Sequence, residues 1–237
     1  MEIIKDYKAK MAIARQLRAK IEEAGMNIAM RSNNIRKFKK ATNYPFVVCE
    51  HRNFHKLGEW YVCITAESRS RFFAGIIGIC AFKIEKDTDG NNTDILLVEG
   101  DDDGNTFIEE FTRHFLDDYA DIHDIDVVSH NYTSVFLKFY RENYFSNRKG
   151  LGYSFVHKDE NGKEHVAYPF IMATPVGVAM GITNDKHEGS CYLMYEPADK
   201  YFSDKEDLLE KVTDDMLDYM NDMENNPYKY SPLKNII

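Results

Sequence analysis

Two side chains spaced four residues apart, His114 and Asp118, have the types and the spacing that could carry chemistry. Residues at this spacing lie on one side of an α-helix, where the carboxylate can hold the imidazole in one tautomer and raise its basicity, as general base catalysis requires. The same spacing also makes a satisfied hydrogen bond between buried groups. Because no serine or cysteine nucleophile is identifiable beside the pair, a structural role is favoured over a catalytic one.

The helix predicted to carry this pair runs from Thr106 to Asp124. With about 100° of turn per residue, its apolar side chains form one stripe, with His114 at the border of the stripe and Asp118 inside it. The members of the stripe are Phe107, Phe111, Phe115, Tyr119 and Ile122. Burying an unpaired carboxylate is costly, so a charge in this stripe needs a structural or a chemical reason.

A metal site is the third interpretation of the pair, with Asp121 joining His114 and Asp118. Asp117 and His123 extend this surface of hard ligands. Carboxylates and a histidine on the outer side of a helix end, however, usually form a solvated acidic face. No H-E-x-x-H motif is present. We therefore predict no metal site and no cofactor.

The acidic run from Glu99 to Glu110 is similar to a calcium-binding loop. It departs from that pattern at Glu99, where the first ligand should be an aspartate, and at Thr106, where a branched apolar residue is usual. A predicted strand, not a helix, precedes it. We interpret the run as a turn whose carboxylates favour the N-terminus of the following helix.

Charge divides the chain into a basic beginning and an acidic remainder. Residues 1–56 carry 13 Lys and Arg against 5 Asp and Glu, whereas the rest carries 17 against 34, giving about +8 and about −17 within the total of −9. Opposite fields attract at short range, so the basic segment is expected to pack on acidic surface of its own chain or of a neighbour. A nucleic-acid partner is possible but disfavoured, because nucleic-acid binders usually lack a strongly acidic remainder.

The composition indicates a folded globular protein. Its 237 residues, 43% of them apolar, suit one large domain or one domain with appendages. No apolar run is long enough for a membrane span, and the N-terminus lacks an apolar segment followed by a cleavage site, so a cytoplasmic location without membrane contact is expected. The four cysteines are far apart and are predicted to be buried free thiols. They are Cys49, Cys63, Cys80 and Cys191.

The first 43 residues are predicted to form a basic helical arm. Apolar residues at three- and four-residue spacing indicate a helix over residues 2–25 that stops at Gly25. Ser32 or Asn33 would cap a second, short basic helix before the break at Pro45.

Residues 44–225 are predicted to form a single α+β domain with a mainly antiparallel sheet and helices on one side, because strands and helices do not alternate regularly. The run of residues 72–82 is interpreted as a central strand or a strand pair. A helix over 133–144 would precede three or four further strands. A last helix, capped by Ser203 or Asp204, would extend to Met223, and residues 226–237 would form an extended tail.

Four side chains, Phe111, His114, Phe115 and Tyr119, carry a resemblance to a prokaryotic family without an assigned activity. The helix of that family reads F-x-x-H-F-x-x-R-Y and is followed by a second helix and β-hairpins. Its histidine and arginine are similar to those of small metal-independent ribonucleases and toxins, in which histidine moves protons and arginine stabilises phosphate charge. Here Asp118 replaces that arginine, so Arg113 or Arg141 would have to supply the positive charge.

Two functions follow from the sequence. The first is a non-catalytic interaction or regulatory module that contacts a protein partner, or a second copy of itself, through the basic arm. The second is a ribonuclease-like phosphoesterase with His114 as acid and base, assisted by Asp118 and Arg141. Whether the His114 side chain is accessible to solvent decides between a structural and a chemical role for the pair.

Overall fold

A computed structural model describes residues 4, 6–86, 92–101, 103–126, 132–152, 154–158, 164–198 and 218. The last predicted helix, apart from the helical Asp218, and the predicted tail lie outside this part of the chain. Within it, none of the helices combines the length and the apolar character that crossing a membrane requires.

Five helices and ten strands make up the described chain. The helices are α1 (Tyr7–Ala29), α2 (Ser32–Lys40), α3 (Arg69–Phe73), α4 (Arg113–Ile122) and α5 (Tyr132–Glu142). The strands are β1 (Phe46–Phe54), β2 (Gly58–Ala66), β3 (Gly78–Lys86), β4 (Asn92–Gly100), β5 (Thr106–Phe111), β6 (Arg148–Gly150), β7 (Phe155–Lys158), β8 (Glu164–Ala173), β9 (Gly177–Asn184) and β10 (Gly189–Pro197).

The strands form one sheet in the order β1-β2-β3-β4-β5-β10-β9-β8-β6, with β7 also paired to β8. Neighbouring strands are antiparallel except β5 and β10, which are parallel at the centre. The prediction of an α+β fold with a mainly antiparallel sheet is therefore confirmed, and N-terminal helices are present as predicted.

Helices cover both faces of the sheet, so the prediction of helices on one side is wrong. On β4, Leu96 and Val98 belong to the apolar cluster that contains α1. Ile95 and Leu97 belong to the cluster that contains α4 and α5. Because successive strand residues point to opposite faces, this uninterrupted apolar run needs cover on both sides.

The predicted helix over residues 106–124 is wrong in its first third, which forms strand β5. Ile108 and Phe111 are buried on opposite faces, in the α1 cluster and the α4 cluster respectively. The helix α4 begins only at Arg113, after Thr112, whose Oγ1 accepts a hydrogen bond of 3.2 Å from the Phe115 amide. Phe107 and Phe111 are four residues apart, an even spacing that places them on one face of a strand as well as on one side of a helix.

The N-terminal boundaries also differ from the prediction. Gly25 does not end α1 but lies inside it, where a Cβ atom would come within 2.5 Å of the Ile79 Cγ2 atom. Glycine at this position permits the close approach of α1 to β3. Ser32 and Asn33 do not cap α2, because Ser32 is already its first residue and Arg31 stands at the N-cap without a side-chain cap.

The run of residues 72–82 is neither one central strand nor a strand pair. Ser68 caps α3 by accepting a hydrogen bond from the Arg71 amide, and Gly75 turns the chain with a φ of 78°. Strand β3 therefore starts only at Gly78. The predicted helix over 133–144 is present as α5. It is followed by the short strand β6, which ends at Gly150.

The prediction of four free thiols is wrong for two of them, because Cys49 and Cys63 form a disulfide. They are 14 residues apart, but the β1–β2 hairpin places them directly opposite each other. Cys80 and Cys191 are free and buried.

Candidate functional site

The His114 and Asp118 side chains meet on α4 at the seam with β10. Their Nδ1 and Oδ1 atoms are 3.5 Å apart, and the side chains are 42% and 26% exposed. The other oxygen of Asp118 accepts a hydrogen bond of 3.2 Å from the Tyr195 amide on β10. The pair is thus half-buried, and Asp118 attaches the helix to the sheet.

Burial, together with the negative charges of Glu196, Asp117 and Asp121, raises the pKa of Asp118 to about 7, against the opposing effect of the hydrogen bond from the Tyr195 amide. Near neutral pH this carboxyl is therefore protonated in a large fraction of molecules. A neutral carboxyl orients His114 less strongly than a carboxylate does, and the surrounding acids repel a phosphate.

The two arginines considered for phosphate chemistry are placed differently. Arg113 lies 3.5 Å from Asp117 and its guanidinium lies 5.8 Å from the centre of the Tyr132 ring. Arg141 is exposed in the last turn of α5, where its charge acts on Tyr119. Among the described residues, no hydrogen bond or ion pair joins Arg141 to the pair on α4.

Asp121, the third ligand of the alternative metal site, is exposed at the end of α4. In the described ranges, no group of three or more histidine, cysteine, aspartate or glutamate side chains has the arrangement of a metal site. In the acidic run of β4 and β5, Glu110 pairs with Lys10 at 2.6 Å, and Asp101 accepts hydrogen bonds from Asn105.

A polar cluster between α4 and α5 was not predicted. The His123 side chain is only 12% exposed, and its ring centre lies 4.1 Å from that of Tyr119. Lys138 is 3.2 Å from His123 Nδ1, and the Tyr119 hydroxyl donates to Glu142 at 2.6 Å. Burial and the Lys138 charge lower the pKa of His123. His123 is therefore a neutral group between two helices, and the i, i+4 spacing of these residues was the only signal for it.

Two further cations pair with acids of the sheet, one on each face: the Lys10 side chain is 11% exposed and the Arg148 side chain 34% exposed. Lys10 of α1 bridges Glu85 at 2.5 Å and Glu110 at 2.6 Å. Arg148 pairs with Glu109 and donates to the Tyr192 hydroxyl at 2.9 Å. Both cations neutralise acids of the central strands, and Lys10 does so from a nearly buried position.

Helix α2 presents the opposite arrangement, with cations that point to solvent. Its inner side is apolar, since Phe38 is fully buried and stacks on Phe72 with ring centres 4.0 Å apart. Its outer side, named here the α2 basic surface, has no ion pair with any described residue. This surface consists of the exposed side chains Arg36, Lys37, Lys39 and Lys40.

An open depression of about 750 Å³ adjoins the C-terminus of α2. Polar groups of Thr42, Ser68 and Arg69 and the rings of Tyr44 and Phe73 line much of it. The Phe73 side chain is 54% exposed, and Arg69 donates to the Ala41 carbonyl at 3.2 Å. The depression extends the α2 basic surface with hydrogen-bonding groups and an uncovered aromatic ring.

Comparison with known proteins gives no match, since no family model, no curated protein and no solved structure is significantly similar to the chain. The functional argument therefore depends on the geometry of these sites.

Proposed function

We propose that the protein is a non-catalytic interaction module that binds an acidic surface of a protein partner through the α2 basic surface. The observation that carries this proposal is the set of four exposed cations on a nine-residue helix, none paired with a described acidic side chain. Like charges so close together repel one another, and a partner carrying carboxylates relieves that repulsion.

The fold does not need these cations. Helix α2 is attached through Phe38 and through Asn34, whose amide donates to the Ile28 carbonyl at 2.8 Å. Lysines in a last helical turn favour the helix by only about 0.3–1 kcal/mol each at low salt. The α2 basic surface is therefore free to contribute its charge to binding.

A protein partner fits better than nucleic acid because residues 57–237 carry a net charge of about −17. This charge repels a polyanion that approaches from most directions. A short acidic segment contacts α2 without approaching that remainder. A second copy of the chain could supply such an acidic surface, as the sequence suggested. The cytoplasmic location expected from the sequence stays a prediction.

The proposal is tested by fluorescence anisotropy of a labelled poly-glutamate peptide of about 20 residues, with an oligouridylate of equal charge as the competing probe. We expect the peptide to bind with an affinity that falls as NaCl is raised, because exposed charges are screened. Stronger binding of the oligouridylate would instead favour a nucleic-acid partner. Light scattering over the same salt series reports self-association, and absence of binding by either probe together with a monomer at every salt concentration would reject the proposal.

The alternative function is a metal-independent phosphoesterase with His114 as acid and base, as the family resemblance implies. The observation in its favour is the 42% exposure of the His114 side chain, which a substrate could reach. The neighbouring acids and the placement of Arg141 count against it. Labelled RNA incubated with the protein and with the His114→Ala variant tests this function, and cleavage that is equal or absent in both rejects it.

A further inference from the structure

Three of the four cysteines lie in one row across adjacent strands. Cys49 of β1 is directly opposite Cys63 of β2, and Cys63 is directly opposite Cys80 of β3. Directly opposite residues of antiparallel strands point to the same face. Cys63 and Cys80 belong to the apolar cluster under α4 and α5, and Cys49 packs against that cluster.

The row places Cys63 within bonding range of two partners. The Cα atoms of Cys49 and Cys63 are 4.0 Å apart, as in the narrow pairs of an antiparallel ladder. The N–H and C=O groups of one strand residue point to the same neighbouring strand, so a residue that forms a narrow pair on one side forms a wide pair on the other. Cys63 and Cys80 therefore form a wide pair, with Cα atoms about 5.5 Å apart. That separation is close to the Cα separation of about 5.5–6 Å that is most common in disulfides. Cys49 and Cys80 are two strands apart, too far to bond to each other.

The three thiol positions differ in their access to solvent. Cys63 and Cys80 are 1% and 3% exposed. Cys49 is only half-buried, and β1 is the edge strand of the sheet. A soluble thiol or an alkylating reagent therefore reaches Cys49 before the other two.

We infer that Cys49, Cys63 and Cys80 form a thiol–disulfide exchange site that holds one disulfide in either of two isomers. In the exchange, Cys80 loses its proton and attacks the Cys63 sulfur. The Cys63–Cys80 bond forms while the Cys49–Cys63 bond breaks, and Cys49 leaves as a thiolate that takes up a proton. No external oxidant or reductant is consumed, and the product carries a half-exposed thiol that can exchange with small disulfides such as oxidised glutathione.

The surroundings of Cys80 make the exchange slow at neutral pH. The Cys80 thiol lies 3.5 Å from the Tyr140 hydroxyl, to which it donates. Burial, followed by the charges of Glu99 and Glu109, raises the pKa of Cys80. The attacking thiolate is therefore scarce at neutral pH, and exchange should accelerate as the pH rises.

The exchange acts next to the contacts that hold α2. Glu50, the neighbour of Cys49 on β1, accepts from Arg31 at 2.6 Å and from the Asn34 amide at 3.3 Å. When the disulfide moves to Cys80, β1 loses its covalent link to β2 and stays paired with β2 through the hydrogen bonds of the ladder. The inference does not depend on the function proposed for α2.

The test is alkylation of the oxidised, folded protein with iodoacetamide, followed by proteolysis under acidic conditions and mass spectrometry of the disulfide-linked peptides. We expect molecules that carry alkylated Cys49 together with a Cys63–Cys80 bond to accumulate with time, faster at pH 9 than at pH 7. The Cys80→Ser variant should keep Cys49 bonded and unalkylated, while Cys191→Ser should behave as the wild type. Wild-type protein that retains only the Cys49–Cys63 bond, or that is alkylated at Cys80 with that bond intact, would overturn the inference.

A second variant gives an answer that does not require Cys80→Ser to fold. Oxidised glutathione added to reduced, folded Cys49→Ser should produce an intramolecular Cys63–Cys80 bond. Two persistent thiols in this variant, or a glutathione adduct that is never resolved to that bond, would contradict the inference.

Discussion

Helices α1 and α2 follow each other in the basic segment, yet they use their positive charge in opposite ways. On α1, Lys10 is buried between two glutamates, and Arg18 donates to the backbone carbonyl of Asn105 at 2.5 Å. On α2, all four cations point to solvent while Phe38 fixes the helix to the core. Charge counted along a sequence therefore does not separate cations that complete a core from cations available to a partner.

The largest effect is expected where the cation is buried. Replacing Lys10 with Met leaves Glu85 and Glu110 without the positive charge between them. Breaking a buried ion pair by removing one partner costs about 3–5 kcal/mol. Urea unfolding of Lys10→Met at pH 8 measures this loss, and Lys8→Met, at an exposed position of the same helix, serves as the control with a change below about 0.5 kcal/mol.

The stability lost in Lys10→Met is expected to depend on pH. Burial raises the pKa of Glu110 to about 7 in the folded protein, above its value in the unfolded chain. The folded state therefore holds this proton more tightly, and the free energy of unfolding falls as the pH rises from the unfolded pKa through the folded one. Without Lys10 the folded pKa is higher still, so the loss in Lys10→Met should be smaller at pH 5 than at pH 8. A loss independent of pH would show that Glu110 is not the group left uncompensated.

A smaller effect is expected for the apolar attachment of α2. Phe38→Leu retains an apolar side chain but removes the stacked contact with Phe72, at an expected cost of about 1–2 kcal/mol. Since no ion pair is lost, the cost should be the same at low and high salt. Thermal unfolding at two NaCl concentrations checks this, and a strongly salt-dependent cost would mean that charge, not Phe38, holds the helix.

Asp118 extends the contrast between buried and exposed charge to α4. Because its folded pKa is raised to about 7, its ionisation opposes folding as the pH rises from its unfolded pKa through 7. Asp118→Asn keeps an acceptor for the Tyr195 amide and cannot ionise. Its free energy of unfolding should therefore exceed that of the wild type by on the order of 1 kcal/mol at pH 8 and differ little from it at pH 4. Asp185→Asn, at an exposed position outside α4, is the control. A loss of stability at pH 8 would show that the charged form of Asp118 is needed by the fold.

The smallest effect on stability is expected for the α2 basic surface itself. Replacing Arg36, Lys37, Lys39 and Lys40 together with Gln should change the free energy of unfolding by less than about 1 kcal/mol, since these side chains make no ion pair with a described residue and the relief of their mutual repulsion offsets the lost attraction to the helix C-terminus. Chemical denaturation measures the change. A loss comparable to that of Lys10→Met would remove the distinction between the two helices.

The features that periodicity alone defines were predictable from the sequence, and those that depend on contacts between distant residues were not. The apolar positions of α1 and α5 repeat with a helical period over several turns, so both helices were predicted. Phe107 and Phe111 fit a strand and a helix equally well, and only the pairing of β5 with β4 and β10 decides between them. The Cys49–Cys63 bond depends on the register of a hairpin, which the cysteine spacing does not reveal.

The candidate site was predicted in its local part only. The four-residue spacing correctly joined His114 to Asp118, but the attachment of Asp118 to Tyr195 depends on a strand 77 residues away in sequence. The sequence alone placed His123 on the outer side of the helix end, because its partner Lys138 is 15 residues away in sequence. The two side chains meet only because α5 packs on α4.

The central claim, that α2 supplies the binding charge, is tested most directly by anisotropy titration of the poly-glutamate peptide with two variants of equal charge. In one, the four cations of α2 are replaced with Gln; in the other, four exposed lysines elsewhere are replaced: Lys8, Lys20, Lys56 and Lys186. At about 0.5 kcal/mol for each cation, the α2 variant should bind about 30-fold more weakly than the wild type at low salt. The control should remain within about threefold. Equal weakening in both variants would show that net charge, and not α2, attracts the peptide, and would contradict the account.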